Sequence, residues 1–225
     1  MKHSITFLIL ACCLLPACNS ATPTAGAEPI TVQYTAAAAP WLADLFECAG
    51  ANLVTAEQRA ANFMDPQSVN MAIRIGPSAD ITSLAYQISN EELVVILNPQ
   101  NPINALTAEQ VRGLFSGQTL NWREINGSNT PVQVWVFSSG EDVEQLFEQT
   151  TLGGSPVTSF ARLAMSMHEM AQAIAGDVNA VGVLPAHWKT ENVADVFTIA
   201  TVPVLALTPG EPQGAVYELI ACLQK

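Results

Sequence analysis

The stretch Leu93-Val94-Val95-Ile96-Leu97-Asn98-Pro99 sets the fold class of this 225-residue chain. A run of apolar residues that ends at Asn-Pro is typical of a strand buried on both faces. Further along, Thr107 and Gln110 have the spacing of a capping box, and Gly117 supplies a C-terminal stop. Between them lies an apolar helix face of Val111, Leu114 and Phe115. A buried strand followed by an amphipathic helix predicts an α/β unit.

The same alternation of strand and helix continues on both sides of this unit. We predict further strands at 31–35, 69–75, 132–137, 180–184 and 202–207. We predict further helices at 41–46, 142–147, 165–175 and 216–223, the first with Pro40 near its start. The spacing of Thr55 and Gln58 predicts a capping box before one more helix, with Ala60, Phe63 and Met64 on its apolar face. These elements indicate an α/β protein with mixed, mainly parallel sheets.

The order of these segments resembles one family of proteins. Residues 93–99, the helix ending Leu114-Phe115-Ser116-Gly117, and Asn121-Trp122 are similar to the type II periplasmic binding proteins. Within that family the closest resemblance is to the phosphate ABC transporter substrate-binding branch. Ala79-Asp80-Ile81, Val136 to Gly140 and Ala180 to Leu184 add weaker matches. The resemblance covers about residues 30 to 223.

This resemblance implies a clamp of two lobes that closes around a small ligand. Lobe 1 would comprise residues 29–95 and 186–225, and lobe 2 would comprise residues 96–185. The chain would cross between lobes near Asn98 and near Pro185, and each lobe would have a sheet of its own. Proteins of this kind deliver their ligand to an ABC-type importer, so the resemblance also implies a permease partner.

The resemblance gives candidate ligand-binding residues at two places. In its phosphate-binding members, backbone N–H groups and hydroxyls at helix starts hold the anion, with an arginine before a Ser-Gly-Thr turn. The matching positions here are Thr35 and the turn Ser138-Ser139-Gly140. Four alanines follow Thr35 where hydroxyls are expected, and Val136 and Phe137 stand where the arginine is expected. An alternative role for Ser139 is that of N-cap for the helix at 142–147.

Acidic residues beside this turn argue against phosphate as the solute. Glu141, Asp142 and Glu144 lie in or near the first turn of the predicted helix, where they compete with an anion for the helix dipole. Each carboxylate at 4 Å would repel a bound anion by about 1–4 kcal/mol, depending on the local dielectric. We therefore expect a small solute other than phosphate. An arginine that reaches the turn through space, from Arg74, Arg112 or Arg162, is the alternative.

The sequence gives little support to metal binding or catalysis. Met165, Met167, His168 and Met170 have side chains that suit Cu(I), but Met165 lies off the face that the others share, so core packing is the favoured role. No nucleophile elbow, zincin motif or phosphate-binding loop is present. Only His168 and His187 would remain after signal removal. We expect a non-enzymatic protein without a cofactor or metal.

The N-terminus predicts export and lipid anchoring. Lys2 precedes an almost wholly apolar run over 5–15, which is too short to span a bilayer and is typical of a signal peptide. Residues 15–18, Leu-Pro-Ala-Cys, resemble the lipobox of bacterial lipoproteins, in which the cysteine carries lipid. We therefore predict a signal peptide at 1–18, lipidation at Cys18 and a flexible tether at 19–28. The alternative is an ordinary cleaved signal and a freely secreted protein.

Charge and cysteine content agree with an extracytoplasmic location in the cell envelope. Removal of residues 1–18 takes away one basic residue and no acidic one, so the net charge moves from −12 to −13. This charge excludes nucleic acid as a partner and leaves membrane attachment to the lipid. Two cysteines remain after Cys18, and in an oxidising compartment they predict the disulfide Cys48–Cys222. Two buried free thiols are the alternative.

These observations favour an extracytoplasmic solute-binding lipoprotein that serves an ABC-type importer. The competing hypothesis is a surface-anchored sensor or interaction module that has the same fold but a degenerate ligand site. The missing arginine and the alanine run after Thr35 favour that second hypothesis.

The lipid anchor gives a direct test. We expect the Cys18→Ser variant to leave the membrane fraction, because a chain that lacks the lipidated cysteine has no predicted anchor. Cell fractionation and labelling with a radioactive or clickable fatty acid measure this. Membrane retention of the variant at the level of the unmodified protein would refute lipidation at Cys18.

Overall fold

The computed structural model describes residues 28–77, 82–153 and 155–225. The strands are β1 (Ile30–Tyr34), β2 (Val54–Gln58), β3 (Met71–Ile75), β4 (Leu84–Leu97), β5 (Gln133–Val136), β6 (Arg162–Leu163), β7 (Ala180–Pro185) and β8 (Ala194–Thr208). The α-helices are α1 (Leu42–Ala49), α2 (Ala108–Ser116), α3 (Asp142–Phe147), α4 (Met167–Gly176) and α5 (Gly214–Leu223). The predicted signal peptide, Cys18, tether residues 19–27 and the Ala79–Ile81 match lie outside the described residues.

All eight strands form one sheet in the order β2-β1-β3-β8-β4-β7-β5-β6. The long strands β4 and β8 pair antiparallel along their whole length, with register shifts at 87/89, 93/94 and 95/96. Strand β3 joins β8 only at 204–207, whereas β7 joins β4 only at 93–97. We call β1 to β3 with α1 and α5 the first half, and β5 to β7 with α2 to α4 the second half. Both halves are therefore attached to the same pair of strands.

This topology confirms the predicted fold class and corrects one feature of it. The protein is α/β, and four of the seven strand pairings in the described residues are parallel. The prediction of a separate sheet in each lobe is wrong, because β4 and β8 stay paired from one end of the sheet to the other. The chain passes between halves within these two strands and not in loops at Asn98 and Pro185. The lobe limits 29–95, 96–185 and 186–225 stay predictions, since a continuous sheet has no break at which to divide it.

The capping box of α2 is present as its spacing predicts. The Thr107 hydroxyl accepts a hydrogen bond from the Gln110 N–H at 3.2 Å, and the Gln110 side chain accepts one from the Thr107 N–H at 2.8 Å. The helix ends at Gly117, which has the left-handed φ of 76°. Two donors and the terminal carbonyls that the helix leaves unpaired are satisfied in this way.

The segment around Thr55 differs from its prediction. Residues 54–58 form strand β2, which pairs parallel with β1 at the edge of the sheet. Their backbone groups bond to β1, so the capping spacing of Thr55 and Gln58 is not used. Pro40 also lies elsewhere than expected, inside a 3₁₀ turn at Ala36–Trp41 that precedes α1. In both places tertiary pairing overrides a local pattern.

The motif residues Asn121 and Trp122 have a packing role. Trp122 is buried, and its indole N–H donates to the Asn179 carbonyl at 3.0 Å. Asn121 caps the short turn Trp122–Ile125, where its side chain accepts from the Arg123 N–H at 3.0 Å. The motif therefore fastens the connection after α2 to the loop before β7. In the described part of the chain, no helix has the length and apolar character to cross a membrane.

The disulfide Cys48–Cys222 is present, as predicted from the cysteine count. It joins α1 to α5 with a Cα–Cα distance of 5.7 Å and closes a loop of sequence separation 174. A link of this kind restricts the unfolded chain, because it ties the last helix to the first.

We expect the double variant Cys48→Ser/Cys222→Ser to lose about 2–5 kcal/mol of unfolding free energy. Denaturant unfolding of the mature protein measures this. Maleimide labelling under denaturing conditions provides the control, because the unmodified protein should react only after reduction and the Cys48→Ser variant should react at Cys222 without it. Labelling of the unreduced, unmodified protein would contradict the disulfide.

Candidate functional site

A cavity of about 110 Å³ lies between the two halves. Ala36 and Gln58 line it from the first half, at the ends of β1 and β2. Phe137, Ser138 and Glu141 follow β5, and the four residues 164–167 follow β6. We call this space the cleft cavity. Its lining comes from the carboxyl ends of the parallel strands in both halves, where open α/β sheets bind ligands.

The structure places the four predicted ligand residues in different environments. Ser138 lines the cleft cavity. Ser139 lies in the same exposed turn but lines a second, open groove, which Ser138 also borders. Gly140 packs against Asn62 of the first half, so closely that a β-carbon there would come within 2.8 Å of the amide oxygen. Thr35 is completely buried one residue before the cavity. Only Ser138 of the four therefore borders the cleft cavity.

Ser139 is not the N-cap of α3. Glu141 occupies the N-cap position and makes no side-chain capping bond. The Asp142 carboxylate accepts a hydrogen bond from the Val143 N–H at 3.0 Å and another from the Ile75 N–H at 3.2 Å. The alternative role proposed for Ser139 is therefore wrong, because the helix begins two residues later than a Ser139 cap requires.

The two halves contact each other beside the cavity through groups of the chain itself. The Asp142 bond to Ile75 joins α3 to β3, and the Asn62 N–H donates to the Gly140 carbonyl at 3.2 Å. Gly76, with a φ of +69°, lies against the Leu146 side chain, and a β-carbon there would come within 2.5 Å of it. These contacts hold the turn after β5 against the end of β3.

Asp142 is the most deeply buried carboxyl group at this contact. Burial raises its pKa, while the Thr35 hydroxyl, the Arg74 guanidinium and the backbone N–H groups of Ile75 and Val143 all act to lower it. The Arg74 side chain is 6 % exposed, and burial lowers its pKa although Asp142 acts in the opposite sense. A buried guanidinium and a buried carboxyl group thus interact electrostatically across the two halves, without an ion pair at contact distance.

None of the three arginines considered as anion ligands lines the cleft cavity. The Arg74 Nε–H donates to the Ile75 carbonyl at 3.4 Å, and the Arg112 Nε–H donates to the Thr151 carbonyl at 3.0 Å. Arg162 lies over the Trp135 ring at 5.7 Å from its centroid. Among the residues that line the cavity in the described structure, the charged one is Glu141. Burial, and after it the neighbouring Asp142, raises the Glu141 pKa.

Glu144 forms a hydrogen bond with the backbone at the start of the turn after β5. Its carboxylate accepts a hydrogen bond from the Phe137 N–H at 3.0 Å, and the residue is buried. Burial raises the Glu144 pKa to about 7; the bond from Phe137 opposes this shift and the nearby Glu148 adds to it. The charge behind Ser138 therefore changes near neutral pH.

Sequence reasoning missed the residues that form most of the cavity wall. Gln58 was assigned to a helix start, and Ala36 was taken as one of four residues that lacked a hydroxyl. Met165 and Met167 were weighed as metal ligands or core residues, with core packing favoured, whereas the structure places both in the wall beside Ser166. Ser166 is the true N-cap of α4, where it accepts from the Glu169 N–H at 3.1 Å. Within 28–77, 82–153 and 155–225 no group of three or more His, Cys, Asp or Glu could hold a metal ion.

The fold is shared with solved structures of known proteins. A putative phosphate ABC transporter substrate-binding protein from Clostridium perfringens, with bound phosphate, is 15% identical with a TM-score of 0.78 over 87% of this chain and 92% of that chain. An ABC-type phosphate transport receptor from Vibrio cholerae is 19% identical with a TM-score of 0.70, over 87% of this chain and 93% of the receptor chain. A reduced form of OxyR from N. meningitidis is 14% identical with a TM-score of 0.65, over 86% of this chain and 93% of the OxyR chain. At these identities the likeness is one of fold.

A family model adds a match of sequence. The model of the PBP superfamily domain matches residues 84–219, which is more than half of the chain and includes the motifs at 93–99 and 114–122. The match also spans the turn after β5 and all of β7 and β8. The chain belongs to the PBP superfamily, with the type II periplasmic binding protein fold that its sequence motifs predicted.

Proposed function

We propose that this protein is an extracytoplasmic, lipid-anchored solute-binding protein that captures a small ligand between its halves for an ABC-type importer. The observation that carries the proposal is the cleft cavity, because its wall is built from strand ends of both halves. A ligand there contacts both halves at once, so its binding energy favours their closed arrangement. The location and the anchor rest on residues 1–18 of the sequence.

The lining of the cavity indicates a solute that is small and not anionic. Gln58, Ser138 and Ser166 offer amide and hydroxyl groups, while most of the remaining wall is apolar. Glu141 is its charged residue, and a carboxylate repels an anion at short range by about 1–4 kcal/mol. The relative from Clostridium perfringens was solved with phosphate, but here the described cavity wall has no guanidinium or ammonium group to hold it. We therefore propose a neutral or cationic solute.

A second function is favoured by the contacts that close the halves. Asp142, Gly140 and Gly76 fasten the second half to the first through the chain's own groups. A clamp closed in this way could act as a surface interaction module or sensor, with its closed shape as the feature that a partner recognises. The two functions differ in whether small molecules stabilise the protein.

A ligand screen with a matched pair of variants tests solute binding. A bound solute at 100 times its dissociation constant should raise the unfolding free energy by about 2.7 kcal/mol. We expect a hit among amino acids, polyamines, small amides and sugars in thermal-shift measurements, and no micromolar binding of phosphate by calorimetry. Ala36→Leu should abolish the hit because the added side chain fills the cavity.

Ala39→Leu is the control, because Ala39 belongs to the same 3₁₀ turn and is similarly half-buried but does not line the cavity. Equal loss of binding in both variants would show that the solute binds elsewhere. If no compound of a broad panel raises the melting temperature of the unmodified protein, the interaction module is favoured. Micromolar binding of phosphate would overturn the proposed preference against anions.

Glu144 gives a pH-dependent prediction. The pKa of Glu144 is about 7 in the folded protein, whereas the ordinary value is 4.5. Between these two pH values the folded protein keeps a proton on Glu144 that the unfolded chain has lost. Stability should therefore fall as pH rises from about 4.5 to 7. We expect Glu144→Gln to be more stable than the unmodified protein at pH 8 by about 1–3 kcal/mol, and similar to it below pH 5.

Denaturant unfolding at a series of pH values measures this difference. Glu109→Gln is the control, because it removes the same charge from an exposed position in the first turn of α2. A Glu144→Gln variant whose stability follows the same pH curve as the unmodified protein would show that this carboxyl group titrates normally.

A further inference from the structure

The Asp142 side chain enters the first half from the second. The residue is 0 % exposed, and one carboxylate oxygen accepts the Ile75 N–H at the end of β3. Asp142 is the first residue of α3, so this bond crosses between the halves. A buried ionisable group in such a place is costly unless its surroundings supply donors for it.

The first half supplies one donor that bonds to Asp142 and two more that interact with it electrostatically. The Ile75 N–H is one. The Thr35 hydroxyl, completely buried at the end of β1, is the second, and among the described residues it has no hydrogen-bond partner of good geometry. The Arg74 guanidinium is the third; it is buried on β3 and interacts electrostatically with Asp142. Among the described residues no carboxylate, Asp142 included, lies within ion-pair distance of Arg74, so the interaction with Asp142 acts over a longer range.

Donors gathered in this way require an acceptor that carries negative charge. A buried guanidinium keeps its proton, so it needs an anion nearby, and charge-assisted hydrogen bonds to a carboxylate are the strong ones. We propose that Thr35, Arg74 and the Ile75 N–H form a receptor for a small carboxylate, and that Asp142 is its built-in occupant. The chain thus supplies the anion that closes the contact between its halves.

This assignment explains why an external anion has no place at the contact. Asp142 already fills the receptor, and Glu141 next to it faces the cleft cavity. Any solute is then left with the neighbouring cavity, whose wall suits neutral or cationic chemistry. The receptor does not depend on solute binding, so it holds even if the cleft cavity takes no ligand.

Chemical rescue tests the receptor. Asp142→Ala removes a group of the size of formate and leaves the three donors of the first half without their acceptor. We expect this variant of the mature protein to have a lower Tm, and formate to raise that Tm by about 2–4 °C with saturation. Chloride at equal ionic strength should not do so, and formate should not stabilise the unmodified protein.

Two further variants make the result specific. Asp142→Ala/Arg74→Gln should lose the response to formate, because the charged donor is gone. Asp44→Ala, which removes an exposed carboxylate from α1, should show no loss of Tm and no formate response. A folded Asp142→Ala protein that responds equally to formate and chloride would overturn the proposal.

Asp142→Asn keeps the inference testable if Asp142→Ala fails to fold. The asparagine side chain has the shape of aspartate but is neutral, so it cannot balance the charge of Arg74. It also has one acceptor oxygen fewer, because an NH₂ group takes its place. We expect a lower Tm than that of the unmodified protein, and no rescue by formate because the receptor is still filled. A Tm equal to that of the unmodified protein would refute the receptor. A solute found for the unmodified protein would be a separate result, because it concerns the cleft cavity.

Discussion

The antiparallel ladder between β4 and β8 is the constraint on which the rest of the structure depends. Each strand has about three times the length of β1 or β3, and together they carry both halves of the sheet. The first half pairs with one end of the ladder and the second half with the other. Because the ladder is continuous, the halves share one core, and relative movement has to be absorbed within these two strands. The register shifts leave Ile88 of β4 and Ile199 and Val196 of β8 without a partner, and a ladder bends most easily at such bulges.

Three acidic residues at the turn after β5 set the charge beside the cleft cavity. Asp142, Glu144 and Glu141 follow one another around a single turn, and burial raises the pKa of each. The relative from Clostridium perfringens was solved with bound phosphate, whereas the turn after β5 in this chain carries three carboxyl groups. Family membership gives the scaffold, but the side chains that meet at the cleft decide what it binds. This is why the proposed solute differs in charge from the ligand of the relative.

Sequence patterns predicted the elements better than they predicted the site. Strand β7, helix α2 and the capping box of α2 could be predicted from the sequence, because each depends on residues within a few positions of one another. Strand β2 could not be predicted from local sequence, since its backbone hydrogen bonds are made with β1, which lies more than 20 residues earlier. The wall of the cleft cavity combines residues from 36 to 167, and no local pattern connects them.

The sequence by itself determined the α/β class, the family, the disulfide between Cys48 and Cys222, and the place of the turn at 138–140. Hydrophobic periodicity and capping spacing predict the class, the resemblance of motifs to a known family gives the family and the turn, and a count of cysteines predicts the disulfide. Only the tertiary structure decided that Ser138 alone of the predicted residues faces the cavity, and that Asp142 bonds to Ile75 and interacts electrostatically with Thr35 and Arg74. The physical reason is that hydrogen bonds and burial act between side chains in space, and the sequence separation of Ile75 and Asp142 is 67 residues.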